Sequence, residues 1–543
     1  MNIKEAHGKH VLVIENPDLV KSYMRVPLEQ MGFDSVSFAN NTSEAEIALT
    51  KRDFDLILCS YSLKTRLDGY YFYIDLKTKN RLPPHTPFMF MGAEASADII
   101  QSIVDFPADG FIVKPFTIQG LQTNIQKCLK RNIAFFKATE YFRSNKYDDA
   151  LSEISNIIKF PKAKDHVSSA LKMRGDVMLT QKNYLEASRY FKEMAEKYKF
   201  SWAIKGHMRS ELALGNIEYA EKQLIELAGN PQTKITAYEL LTELHVKQAC
   251  FEEALESAQI AAELSPNNLQ RQEVVRLIAI LAKDYKVEEK VARRILRNVL
   301  DTVAEVPQHF FNVISASINV SITQETAEAS EAISIARRNL SELNRRFPNL
   351  DLRQEINILE ARLQCVQNND ERAYEILKNN IESAEFLGTQ AKVEKAKMLH
   401  ELGIHRESMT LFSQIETELA EQMTRLDDTL SPLRLLMKTV EVEHKTRATV
   451  LKTPRELNKQ ALFAYDEGNF DKAFELFRQA QLMVPKSASI ALNVMQVLVK
   501  LQISKWMVDF STIIYHCIDI IEQQRITDAQ ALKYSKLKQA LVV

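Results

Sequence analysis

The chain has 543 residues, is 45% apolar and 26% charged, and carries a formal net charge of -1. That length calls for more than one hydrophobic core, and the apolar fraction excludes a disordered chain. The near-zero charge excludes bulk attraction to nucleic acid or to an anionic membrane.

The first ~130 residues alternate short β-branched runs with amphipathic stretches. Strands are predicted at 10–14, 35–39, 55–60, 87–91 and 110–114, with helices near 17–31, 43–51, 68–80, 96–105 and 117–130. Ser43 followed by Glu46 reads as a capping box opening the second helix. Five strands alternating with five helices imply a doubly wound parallel sheet covered on both faces. Ligands bind such sheets at the carboxyl ends of the strands. Glu15, Asn16, Ser60, Gly92 and Lys114 all fall at those ends, so spacing alone gathers them into one pocket.

Beyond residue 131 the strand signal stops, and no Gly/Ser linker intervenes. The last helix of the first region runs almost directly into Ile133-Ala134-Phe135-Phe136, which predicts a stiff helical junction. A signature then recurs: an aromatic, an alanine three residues on, and an apolar residue four further. It appears as Tyr147-Ala150-Ile154, Tyr184-Ala187-Phe191, Phe251-Ala254-Ala258 and Phe470-Ala473-Phe477. With Ala220 the alanines step by 37, 33 and 34 residues, the period of a helical-hairpin repeat. Pro266 and Pro485 end the second helix of their units. The expected domains are 1–130, a solenoid over 131–285, an irregular helical segment over 286–350, and degenerate and terminal repeats over 351–543.

On these residues the N-terminal region resembles a response-regulator receiver, flavodoxin-like in fold, and most of 131–485 resembles tetratricopeptide repeats. The receiver likeness rests on His10-Val11-Leu12-Val13-Ile14 leading to Glu15-Asn16, on Asp55-Leu56-Ile57-Leu58-Cys59-Ser60, on Asp68-Gly69, and on Phe111-Ile112-Val113-Lys114-Pro115. It implies a kinase-docking surface, an acidic Mg²⁺ pocket, an aspartyl phosphoacceptor, a hydroxyl switch residue and a phosphoryl-binding lysine before a cis proline. Several of these are changed. Asn16 replaces half of the acidic pair, Ser60 stands at the phosphoacceptor position, and Gly92 brings no hydroxyl to the switch position. Phe111 fills the aromatic switch position and Lys114 is intact. A serine hydroxyl is no substitute for a carboxylate nucleophile without an activating base. One carboxylate is a poor seat for Mg²⁺, which dehydrates reluctantly. Asp55 begins its strand and Asp68 lies in the following turn, both away from Lys114. With those carboxylates gone, Lys114 is expected to pair with Glu15.

The solenoid offers a groove without chemistry. Phe135, Thr139 and Phe142, then Lys172, Asp176 and Leu179, then Asn458, Leu462 and Tyr465 project onto groove-facing positions. The arginine clusters at 293–297 and 337–346 interleave with acids and read as solvated helix faces. No HExxH pair, phosphate loop or CxxC pair occurs, so neither a catalytic nor a metal centre is expected. Five scattered cysteines, no signal-peptide core and no apolar run of about 18 residues point to the cytoplasm of a bacterial cell. The expectation is a non-catalytic auxiliary regulator of two-component signalling without cofactor. It would dock on a sensor histidine kinase or another response regulator, and homodimerisation through the receiver is an arrangement the family uses. The competing expectation is an adaptor or assembly factor for a secretion, pilus or degradation machine.

Overall fold

The computed structural model describes residues 6–541 except 16–18, 64–67, 80, 84, 94–107, 161–163, 199–200, 324–326, 368, 381–386, 424–428, 451, 486, 505–509 and 523–525. The helix predicted at 96–105 and the site residue Asn16 lie outside the described residues. The chain divides into two compact units. One comprises 1–248, 256–271 and 297–305, the other 249–255, 272–296 and 306–543.

The first unit opens with β1 (His10–Ile14), α1 (Leu19–Met31), β2 (Ser35–Ala39), α2 (Thr42–Lys51), β3 (Leu56–Ser60), α3 (Asp68–Thr78), β4 (Phe88–Gly92) and β5 (Gly110–Val113). The strands form one parallel sheet in the order β2-β1-β3-β4-β5. Alternation along each strand separates two cores. Val11, Val13, Leu56, Leu58, Met89 and Met91 meet Met24, Leu28 and Leu121 on one face. Leu12, Ile14, Ile57, Cys59, Phe88 and Phe90 meet Ala45 and α3 on the other. The cap of α2 differs from the sequence reading. Asn41, not Ser43, accepts from the Glu44 backbone, because a polar residue one step before the helix reaches the orphan N–H groups.

The first half of α3, Asp68–Tyr73, is buried on every side. Tyr70, Tyr71, Phe72 and Tyr73 are all at most 1% exposed. Rings on the outer face of this helix would meet water on a free-standing sheet, at a cost of about 1.5–3 kcal/mol per large apolar side chain. Here Leu269, Val303 and Ala304 of the same unit pack against this core, and the Tyr71 hydroxyl lies 3.5 Å from the Asn267 carbonyl.

A single 26-residue helix, Ile118–Arg143, joins the sheet region to the first helical hairpin, so position 130 falls inside a helix. The hairpins that follow turn on a left-handed residue. Asn145, Lys182, Gly215, Ala249 and Lys283 have positive φ, in steps of 37, 33, 34 and 34 residues. Two residues beyond each turn stands Tyr147, Tyr184, Ile217, Phe251 or Tyr285, and three further Ala150, Ala187, Ala220, Ala254 or Glu288. All four alanines are fully buried. Phe191 seats its ring on Gly175 and Gly206, where an added Cβ would come within 2.4 Å.

The series therefore gains one more unit, opening at Tyr285 at the edge of the segment expected to be irregular over 286–350; the next left-handed residues, Asp301, Gly403 and Gly468, do not keep the interval. That segment is regular helix: Tyr285–Val299, Pro307–Thr323 and Ala327–Arg346. The signature changes there: Glu288 takes the alanine position, and Pro307–Thr323 buries Asn312, Ser315, Ser317, Asn319 and Ser321. These polar groups have partners. Ser315 donates to Glu394 at 2.8 Å, and Asn319 to Glu288 at 3.1 Å. Arg362, fully buried, bonds both Glu394 and Glu401. The chain closes with Ala488–Ser504, Ser511–Glu522 and Asp528–Ala540, the first two packed in a continuous apolar core.

Candidate functional site

The carboxyl ends of β1, β3, β4 and β5 bring Glu15, Ser60, Gly92, Phe111 and Lys114 together. Strand pairing fixes the arrangement: Ser60 is level with Met91, Phe90 with Phe111, and Gly92 with Val113. The Lys114 N–H donates to the Gly92 carbonyl at 2.7 Å, and the Lys114–Pro115 peptide is cis. The Lys114 ammonium forms a close ion pair with Glu15 Oε2. Glu15 is 9% exposed, so this pair sits in a partly dry pocket where Coulomb attraction is less screened than at the surface.

Ser60 is 5% exposed, and its hydroxyl donates to the Ser62 carbonyl at 2.9 Å. No histidine or carboxylate accepts that proton in the described structure, so the hydroxyl is not activated as a nucleophile. The glycine at 92 makes room for an aromatic ring: a Cβ there would lie 2.9 Å from Phe111 Cζ. Phe111 thus occupies the space a switch hydroxyl would use. Behind the pocket, burial first and then the charges of Glu15 and Asp68 push the Cys59 thiol well above its ordinary range. Asp55 is at the opposite end of the sheet, where it accepts from the His10 N–H at 2.9 Å. Asp68 is buried in the first turn of α3, where a carboxylate suits the helix dipole.

A receiver pocket implies Mg²⁺, which requires several hard oxygen donors in octahedral array. Among the described pocket residues the donor set is one carboxylate already paired with an ammonium, and no cluster of three acidic, histidine or cysteine side chains able to hold a metal occurs among the described residues. These residues do not fit the ion.

The groove candidates separate by chemistry. Phe135 and Phe142 pack against Ala138, Ile154, Ala170 and Val177 inside the first hairpin. Tyr465 packs into the last apolar core, its ring 5.3 Å from Phe470. These three rings are half-buried and pack between helices of their own repeats. Of the polar candidates only Lys172 is exposed; Asp176 and Asn458 are half-buried. Burial raises the Asp176 carboxyl above its usual range despite Lys172 and Arg209. Asn458 accepts from Asn493, which in turn accepts from Lys533. Sequence reasoning passed over Glu288; Tyr285, 34 residues after Phe251, was the signal for it.

The response regulator receiver domain family matches residues 11–126. Chemotaxis protein CheY of Pseudomonas aeruginosa is 25% identical over 121 residues, covering 22% of this chain and 96% of that protein. A probable transcriptional regulator, ycf27 of Cyanidium caldarium, is 26% identical over 136 residues, covering 24% of this chain; the chain spans about half of that relative, 51%. A tetratricopeptide repeat protein from Parabacteroides merdae covers 57% of this chain and 98% of its own, at 11% identity and a TM-score of 0.27, which carries no argument by itself. Residues 11–126 are a receiver domain, and the turns spaced by 33–37 residues from Asn145 to Lys283 give the helical hairpins there their tetratricopeptide-like character.

Proposed function

We propose that this receiver-plus-solenoid protein regulates two-component signalling without accepting a phosphoryl group itself. The observation that carries the reading is the Glu15–Lys114 ion pair beside a Ser60 hydroxyl turned to the Ser62 carbonyl. The lysine that would hold phosphoryl oxygens holds a native carboxylate instead, and Phe111 fills the switch position over Gly92. Such a pocket favours one fixed state of the receiver.

The docking surface is α1. Tyr23 and Val26 are 47% and 52% exposed, and Phe116 stands 6.1 Å from the Tyr23 ring. Adjacent exposed apolar side chains of this kind suit a partner helix. The receiver would then occupy a histidine kinase or another response regulator in competition with a reactive receiver, while the solenoid recruits a second protein at raised effective concentration. Among the described residues no helix is long and apolar enough to cross a membrane.

The full chain, added to a phosphotransfer reaction between its kinase and a reactive response regulator, should slow transfer in proportion to its concentration. Tyr23→Glu with Val26→Glu should restore the rate. Unchanged transfer at saturating protein overturns the competitive mechanism, and partner capture that survives the α1 variants assigns recruitment to the solenoid alone, as in an adaptor.

A further inference from the structure

The C-terminal unit contains a cavity of about 880 Å³ that the receiver function leaves unused. Ile322, Ile333, Val366 and Ile490 give it an apolar side, and Lys283, Arg447, Arg455 and Lys459 contribute four cations. Three of the carboxylates lining it are engaged within the fold. Glu401 receives the buried Arg362 guanidinium, Glu443 pairs with Arg447, and Glu456 closes the capping box at Thr453. Asp370 stands in the first turn of its helix, where the dipole offsets its charge.

The cations are less fully met. Arg447 is 8% exposed, yet its Nε has no hydrogen-bond partner. A buried donor left without an acceptor costs the full desolvation of that group. Lys283 lies beside it and donates to the Leu482 carbonyl, which leaves its other two N–H groups for a further acceptor. Burial first, and the Arg447 charge against the opposing pull of Glu443, hold its ammonium below the usual lysine range. Arg455 and Lys459 are exposed and four residues apart on the helix Pro454–Asp466, so they share one face at the rim.

We propose that this cavity binds an organic anion. Arg447 and Lys283 receive its carboxylate or phosphate, Arg455 and Lys459 draw it in, and its apolar body lies on Ile322, Ile333, Val366 and Ile490. A charge-assisted bond would supply the acceptor that Arg447 Nε lacks. The volume is that of a site for a compact ligand of drug size. The anion has two sources, a free amphiphilic acid or an acidic side chain within an apolar segment of a partner. Neither source depends on the receiver reading.

The test is a fluorescence titration of the full chain with 8-anilinonaphthalene-1-sulfonate, using neutral N-phenyl-1-naphthylamine as the control. The sulfonate should bind at one saturable site and the neutral dye markedly more weakly. Arg455→Glu combined with Lys459→Glu, both at exposed positions, should weaken the sulfonate about tenfold or more while far-UV dichroism stays unchanged. Arg447→Lys keeps the charge opposite Glu443 but removes Nε, and should weaken it less. Displacement at lower concentration by octanoate assigns a free acid; displacement first by an end-blocked peptide of alternating leucine and glutamate assigns a partner segment. Equal binding of the two dyes, equal affinity of the double variant, or displacement by neither competitor overturns the proposal.

Discussion

Where β3 hands over to α3, two stretches of backbone approach more closely than any side chain would allow. A Cβ on Gly69 would lie 1.9 Å from the Ser60 carbonyl oxygen and 3.1 Å from that of Tyr61. Backbone cannot yield as a flexible side chain does, so Gly69→Ala should destabilise the first unit by about 2 kcal/mol or more, read as a lower urea midpoint. An unchanged midpoint would mean that α3 does not need this approach. Glu288 raises a different issue, a carboxyl placed in a slot built for alanine. Burial raises its pKa from 4.5 to about 7, against the pull of Lys397, Arg276 and the Asn319 amide. Its folded form therefore holds the proton more tightly than its unfolded form. The resulting stability is fully present below about pH 4.5 and is lost as pH rises through 7. Glu288→Gln should stabilise the second unit by on the order of 2 kcal/mol at pH 8 and by little at pH 4. His400 works in the opposite sense. Burial lowers it to about 4, so its contribution is present above pH 6.5 and is lost as pH falls through 4. Thermal unfolding between pH 4 and 8 distinguishes the two; a Glu288→Gln effect independent of pH would remove the titration argument.

Among the elements, the helix Ile118–Arg143 bears most on function because it belongs to both the receiver and the first hairpin. Leu121, Ile125 and Leu129 are buried on the sheet, while Ala138 is buried in the hairpin. Proline at Asn132 would remove one hydrogen bond and clash with the preceding turn, at about 3 kcal/mol. Asn132→Pro should lower helicity and open a protease site near 132, whereas Asn132→Ala should leave both unchanged. Equal behaviour of the two variants would show that the junction need not be continuous. This junction was legible in the sequence, since no Gly, Pro or Ser cluster separates Ile118 from Arg143. The strands were legible for a related reason: fully buried parallel strands read as short β-branched and apolar runs. The repeat at 285–299 was not, because Glu288 stands where the earlier repeats carry alanine. The turn residues carry the spacing as far as Lys283, since a left-handed residue closes each of these five hairpins whatever its core contains.

At the scale of the whole molecule, the architecture ties a receiver to helical repeats without a flexible linker, and the receiver's α3 face is already covered within its own unit by Leu269, Val303 and Ala304. No sequence pattern announces that contact, because residues about 200 positions apart leave no local periodicity. The same limit applies to the groove. Helical spacing placed Phe135, Phe142 and Tyr465 on an inner face, but spacing does not tell a ring that awaits a ligand from one that wedges two helices together. The candidate pocket was more legible, because strand ends converge whatever surrounds them, and the Lys114–Glu15 pair follows once the neighbouring carboxylates are replaced.

The central claim is that this receiver does not accept a phosphoryl group. Its most direct measurement is the intact mass of the full chain after incubation with acetyl phosphate and Mg²⁺ at neutral pH, followed by peptide mapping across β3 and α3. An unmodified mass is expected under conditions that phosphorylate a reactive receiver. A phosphoryl adduct on Ser60 or Asp68 would contradict it.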